Sequence, residues 1–148
     1  MKICLACSHG GHLVEMMRLT SAFDGHEIFI VTYDSESTKD LKNAYRIKYP
    51  MPSLGLLILR TLFEAIKILS KEKPDLIVST GGGEIAIPFC YIGKLLGMKI
   101  IFIETLARVK TPSGGGHIVY PIADLFLVQW ESLLKEYGNK AKYWGNLI

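Results

Sequence analysis

Leu76-Ile77-Val78-Ser79, then Thr80-Gly81-Gly82-Gly83-Glu84, then Ile85-Ala86-Ile87-Pro88-Phe89-Cys90, is the stretch that decides the fold. A short apolar run after Pro74-Asp75 reads as a strand, the three glycines as a tight turn, and residues 85–96 as a helix closed by Gly97. The same order appears upstream. Residues 3–7 read as a strand, Ser8-His9-Gly10-Gly11-His12 as a turn, and residues 13–23 as an amphipathic helix. Further strands are expected at 27–32, 46–48, 76–79, 99–104, 125–129 and 142–144, with helices at 54–70 and 130–137. Strands alternating with helices of 10–15 residues imply βαβ units. With right-handed crossovers they give an α/β fold: one Rossmann-like domain over 1–148, a parallel sheet with helices on both faces.

Composition agrees with a packed domain. Of the 148 residues, 49% are hydrophobic and 21% charged, outside the range of disordered chains. A net charge of +3 is too mild to suggest nucleic acid, and it suits an anionic membrane or a pyrophosphate. Three cysteines, an odd number, argue against a disulfide framework and fit a reducing compartment. Cys4 and Cys7 stand three apart on one strand and so point to opposite faces, as buried thiols do. No metal or cofactor motif is expected from this set. Met1-Lys2 runs straight into a strand, without the pattern of a signal peptide. The apolar stretches 51–59 and 85–93 are far short of a membrane span. Any membrane contact is therefore expected to be peripheral.

In an open parallel sheet, ligands bind outside the carboxyl ends of the strands. Three expected strands end in unusual residues there: Ser8–His12, Ser79–Glu84, and Glu104-Thr105-Leu106-Ala107-Arg108. Gly10 and Gly11 let a ligand reach the backbone at a helix start, where free N–H groups attract a phosphate. The pattern is not G-x-G-x-x-G, and no acidic residue closes the second strand, Thr32-Tyr33-Asp34 being the nearest candidate for a ribose contact, which argues against a dinucleotide site. His12, as a neutral imidazole, suits a general base on a sugar hydroxyl, or else it caps the turn. His9 is a loop residue or a ligand contact. Gly81, Gly82 and Gly83 allow close backbone approach or form a plain turn, and they lack the ending of a P-loop. Glu104, a candidate catalytic residue beside His12, is either a solvated strand end or a ligand contact. Arg108 pairs with Glu104 or with a phosphate.

Residues 54–70 carry a different signal. Arg60, Glu64, Lys67 and Lys71 form one polar stripe, and nearly everything else is apolar. Either this helix is well buried, or part of its apolar arc, with Leu56, Leu59 and Phe63 beside Arg60, touches lipid.

Taken together, Ser8-His9-Gly10-Gly11-His12 resembles the opening of MurG-like GT-B glycosyltransferases. Glu104-Thr105-Leu106-Ala107-Arg108, Tyr120-Pro121-Ile122-Ala123-Asp124 and Phe126-Leu127-Val128-Gln129-Trp130 are more specific. They resemble the asparagine-linked glycosylation protein fourteen family and its bacterial polysaccharide relatives such as PssD. The likeness runs over nearly the whole chain, and Tyr143–Ile148 resembles the point where a GT-B N-terminal domain stops. Three features depart from the family: no N-terminal anchor, Gly81-Gly82-Gly83 for a Gly-Pro-Gly turn, and His9 for Ser or Gly.

The resemblance implies half of a two-chain, inverting glycosyltransferase. This half would bind a polyprenyl-pyrophosphate-linked sugar and bring its partner to the membrane. The separate partner, of GT-B C-terminal type, would hold the UDP-sugar. The donor would be a hexose or N-acetylhexosamine, such as N-acetylglucosamine. The chain would be inactive alone and peripheral on the cytoplasmic face, with helix dipoles and basic residues in place of a metal. Two other classes stand beside this one: a stand-alone small Rossmann nucleotide-binding protein, and a structural membrane adaptor for a complete transferase.

Overall fold

Ile3, Cys4, Leu5, Ala6 and Cys7 are all fully buried. A strand without a polar face belongs in the middle of a sheet covered on both sides. That is the place of β1 (Lys2–Cys7) in the computed structural model, which describes residues 1–147. Ile148, the last residue of the expected domain and of the Tyr143–Ile148 ending, lies outside the described residues. After β1 come α1 (Gly11–Leu19), a 3-10 turn (Thr20–Phe23), β2 (Glu27–Tyr33), β3 (Ala44–Ile47), α2 (Leu54–Glu72), β4 (Leu76–Gly81), α3 (Gly83–Leu95), β5 (Lys99–Ile103), α4 (Gly114–Val119), β6 (Leu125–Val128), α5 (Leu133–Tyr137) and β7 (Ala141–Tyr143). The seven strands form one sheet in the order β3-β2-β1-β4-β5-β6-β7, and every pairing is parallel.

Helices cover both faces, as the α/β reading requires. On one face Cys4, Phe29 and Phe102 pack with Leu69 of α2, Phe89 of α3, Val119 of α4 and Leu133 of α5. On the other, Ile3, Leu5 and Cys7 pack with Leu13 and Met16 of α1. Cys4 and Cys7 thus fall on opposite faces. Burial pushes the Cys7 and Cys90 thiols up to about 12, so both are protonated, inert core groups.

α2 shows how far the helix is covered. Ser53 caps it, its hydroxyl accepting from Leu56 N–H. The buried stripe is Leu57, Thr61, Ala65, Ile68 and Leu69. Leu56, Leu59 and Phe63 are exposed, the last two at 65%. Arg60 is exposed as well and pairs with Glu64 at 3.2 Å. Burial all round does not describe this helix.

Several boundaries differ from the expectation. β3 begins at Ala44, opposite Ile30, and β4 runs on to Gly81 because Cys7 pairs with it across an irregularity in the register. α3 begins at Gly83. α5 begins at Leu133, since residues 130–132 form a turn. α4 was not expected at all. Three glycines read as a helix breaker, but Ser113 Oγ accepts Gly116 N–H at 2.9 Å. A Cβ on Gly116 would also run into the Tyr137 hydroxyl. Close packing against a distant residue overrides propensity there.

Candidate functional site

The strand order reverses between β1 and β4: the chain moves outward one way through β2 and β3 and the other way through β5 to β7. The loops leaving β1 and β4 meet at this point, Ser8 N–H donating to the Gly81 carbonyl at 3.4 Å, and border a crevice at the carboxyl edge, where ligands bind in open parallel sheets. A cavity of about 380 Å³ lies there. The loop after β1 lines it with Ser8 and His12, the loop after β4 with Gly81 to Glu84, and the loop after β5 with Thr105, Ala107 and Arg108. The structure therefore brings together His12, Gly81, Gly82, Gly83 and Arg108.

His12 is the second residue of α1. Its Nδ1 lies 2.8 Å from the Thr80 carbonyl, and the Thr80 hydroxyl donates to the His12 carbonyl at 2.7 Å. A carbonyl only accepts, so Nδ1 carries the hydrogen. In the neutral ring the lone pair is then on Nε2, the form a general base needs, and the side chain lines the cavity. The ring lies against Gly81, whose φ is +111°; a Cβ there would stand 2.7 Å from His12 Cε1. Gly82, at φ +83°, leaves no room beside the Ser8 side chain, and Gly83 lies close to Gly115 of α4. The three glycines thus admit three different neighbours. The first N–H groups of α1 and α3, without partners inside their helices, face the same edge. Gly10 has φ +79°, and a Cβ on Gly11 would meet nothing within 4 Å, so the start of α1 is open. Arg108 is exposed and, among the described residues, forms no ion pair.

Four expected site residues do not line this cavity: Gly10 and Gly11, at the start of α1, and His9 and Glu104. His9 turns toward the end of β2, with ring centroids 5.5 Å from Tyr33 and 5.1 Å from Tyr49. It does not line the cavity of His12. Its Nδ1 and the Tyr33 hydroxyl are buried without partners. Burial, reinforced by Glu84, pushes the Tyr33 phenol up, although Glu84 is not within hydrogen-bonding geometry.

Glu104 is 1% exposed and its carboxylate is fully engaged. It accepts Thr105 N–H, Ser113 N–H and Ser113 O–H, each at 2.9 Å, and the Tyr137 hydroxyl. Burial and this carboxylate push the Tyr137 phenol up, so it stays a donor. Glu104 holds the loop that carries Arg108; it offers the cavity no free oxygen and does not pair with Arg108.

The sequence reading overlooked the other half of this clamp. Glu15, one turn after His12 on α1, accepts the Thr105 hydroxyl and Gln129 Nε2–H at 2.8 Å each, and Leu106 N–H at 3.3 Å. Gln129 also donates to the Glu104 carbonyl at 3.0 Å, and Trp130 Nε1–H donates to the Leu106 carbonyl at 2.7 Å. Helix α1, which carries His12, and the Arg108 loop are thereby tied together. A polar Gln129 directly after an apolar strand, and Ser113-Gly114-Gly115-Gly116 as a second glycine turn, were the available signals.

A family model described as "Oligosaccharide biosynthesis protein Alg14 like" matches residues 36–147. The UDP-N-acetylglucosamine transferase subunit ALG14 of Candida albicans is 34% identical, over 99% of this chain and 78% of its own length. The human protein of the same name is 25% identical, over 100% of this chain and 83% of its own. Among solved structures, Acinetobacter baumannii MurG matches with a TM-score of 0.81 at 14% identity, over 98% of this chain and 45% of that one. The UDP-GlcNAc 2-epimerase of Methanocaldococcus jannaschii matches with a TM-score of 0.78 at 18% identity, over 99% and 46%. At such identities the likeness is one of fold, and this chain spans less than half of either structure.

Proposed function

The chain belongs to the Alg14-like family of oligosaccharide biosynthesis proteins, and on that premise we propose that it is the acceptor-binding subunit of a two-chain, inverting UDP-N-acetylglucosamine transferase. Relatives of which this chain covers 78% and 83% are named as subunits, which supports a second chain that holds the UDP-sugar. The acceptor is a sugar on a polyprenyl pyrophosphate. Its diphosphate rests on the N–H groups at the starts of α1 and α3 and on Arg108. The acceptor hydroxyl donates to His12 Nε2. As that oxygen bonds to the anomeric carbon of the donor, its proton passes to Nε2, and the bond from the anomeric carbon to UDP breaks with its electron pair on UDP. The Thr80 carbonyl fixes the ring and steadies the imidazolium that forms. Glu104 and Glu15 hold the loops in register.

The observation that carries this reading is the placing of His12, with Nδ1 held at the Thr80 carbonyl and its side chain lining the crevice. Membrane attachment belongs to the same proposal. No helix among the described residues is long and apolar enough to cross a membrane. The exposed Leu56, Leu59 and Phe63 of α2, beside Arg60, form a surface that suits peripheral binding to the cytoplasmic face. Lipid-linked acceptors stay in the bilayer because each CH₂ withdrawn costs about 0.8 kcal/mol, so the enzyme comes to them.

Calorimetry on the isolated chain tests the division of labour. It should bind a soluble sugar-diphosphate-prenyl analogue and show no heat with UDP-N-acetylglucosamine. Tight binding of the nucleotide sugar alone would favour the stand-alone Rossmann reading. Transfer by the paired enzyme that ignores His12→Ala would favour the structural adaptor.

A further inference from the structure

A second cavity, of about 480 Å³, borders the first. Leu54, Ile58 and Leu62 of α2 form one wall, Ile87 and Pro88 of α3 the other, and Ile118 of α4 closes one side. It is of the size that holds a drug-sized molecule, about 300–1,000 Å³. Glu84, at the border, is its only charged lining residue. The Tyr91 hydroxyl is already used, donating to the Ile118 carbonyl at 2.7 Å, so Tyr91 offers its ring. Leu54, Ile58 and Ile118 are all exposed, so the groove is open to solvent.

Its position is the informative feature. Gly83 and Glu84 line both this groove and the cavity of His12. Gly83 has no side chain to block the passage between them. A single molecule that fills both has a polar head at His12 and Arg108 and a hydrocarbon tail between α2 and α3. The far wall continues into the exposed face of α2. Leu59, Phe63 and Ile66 lie about one residue step, roughly 100°, around the helix from Leu54, Ile58 and Leu62.

We infer that this groove binds the head-proximal segment of the acceptor's hydrocarbon chain, lifting the diphosphate to the crevice while the rest of the chain stays in the bilayer. The inference rests on the acceptor-binding reading above and adds to it a subsite for the lipid.

The test uses the paired enzyme in solution, without vesicles or detergent. The acceptors are N-acetylglucosamine diphosphates carrying a methyl group or one, two or three prenyl units. The first units added should lower KM by about tenfold or more each, since even part of a five-carbon unit buried is worth a decade. Ile58→Asn with Ile118→Asn, both exposed positions, should raise KM for the three-unit acceptor about tenfold or more. It should leave the methyl acceptor and kcat unchanged. A KM that ignores prenyl length, or a double variant with unchanged KM for the three-unit acceptor, overturns the groove while leaving the acceptor-binding reading intact. An equal loss on methyl and prenyl acceptors would mark damage to the fold and also overturns it. Absence of transfer to every acceptor by the wild-type pair overturns the reading beneath it.

Discussion

Gly81→Ala separates the proposed role of His12 from the stability of the loop that holds it. At φ +111° an alanine is strained, at a cost of about 1–3 kcal/mol. Its Cβ would also stand 2.7 Å from Cε1 and 2.9 Å from Nδ1 of His12, so the ring must move. Moving it breaks the 2.8 Å bond to the Thr80 carbonyl, worth about 0.5–1.5 kcal/mol. The total, about 1.5–4.5 kcal/mol, should lower Tm on the order of 10 °C without unfolding the chain. With the base displaced, transfer by the paired enzyme should fall about 10²–10⁴-fold, as for His12→Ala. The assay is thermal unfolding by circular dichroism beside initial transfer rates for both single variants and the double variant. In the His12→Ala background, Gly81→Ala should cost no further rate, since both act on one group. Gly82→Ala is the control: it crowds Ser8 and should destabilise without copying this coupling. Rate losses that multiply in the double variant, or a wild-type rate for Gly81→Ala, would refute the reasoning.

Three further predictions follow from other parts of the molecule. Glu104→Ala strands up to four donors in the interior and should lower the urea-unfolding free energy by on the order of 3–5 kcal/mol; Glu104→Gln, which keeps one good acceptor, should cost about 1–3. An alanine effect below about 1 kcal/mol would show that another group holds the loop. Burial pushes the Asp124 carboxyl up, but the Lys94 ammonium at 2.8 Å and the Ile100 N–H outweigh it and hold the group below the usual range. Its stabilising contribution is therefore complete above the ordinary carboxylate pKa of about 3.9 and fades as pH falls through the lowered value. Acid titration of stability should show a shallower loss in that window for Asp124→Asn than for wild type, and equal slopes would contradict it. Leu56→Glu with Leu59→Glu should abolish co-sedimentation with anionic liposomes and leave Tm near wild type; a wild-type chain that ignores anionic liposomes at low salt contradicts the membrane surface.

The sheet and the shared edge of its candidate site were legible because they rest on local pattern. Apolar runs, β-branched residues and glycine turns recur at βαβ spacing, and the three odd strand ends necessarily share one edge. The opposite placement of Cys4 and Cys7 follows from a period of two. What was not legible depends on residues far apart in the chain. Glu104 reads as a strand end, and its burial is set by Ser113 and Tyr137, nine and 33 positions away. Glu15 and Gln129 meet across 114 positions. α4 exists because Gly116 fits beneath Tyr137, which no helix propensity encodes. His9 and His12 look like one motif, yet His9 leaves β1 toward Tyr33 and His12 enters α1 over Gly81. The surplus of apolar positions in α2 was visible, but which of them face solvent was fixed only by the packing of Leu57, Thr61 and Ala65.

The most direct test of the acceptor-subunit account is transfer of N-acetylglucosamine from UDP-N-acetylglucosamine to a prenyl-diphosphate-linked sugar, measured for the purified chain alone, for a donor-binding partner alone, and for the two together. The account predicts no product from either chain alone, product from the pair, and a loss of about 10²–10⁴-fold when the pair carries His12→Ala. Turnover by this chain without a partner would contradict it, as would a pair whose rate is indifferent to His12.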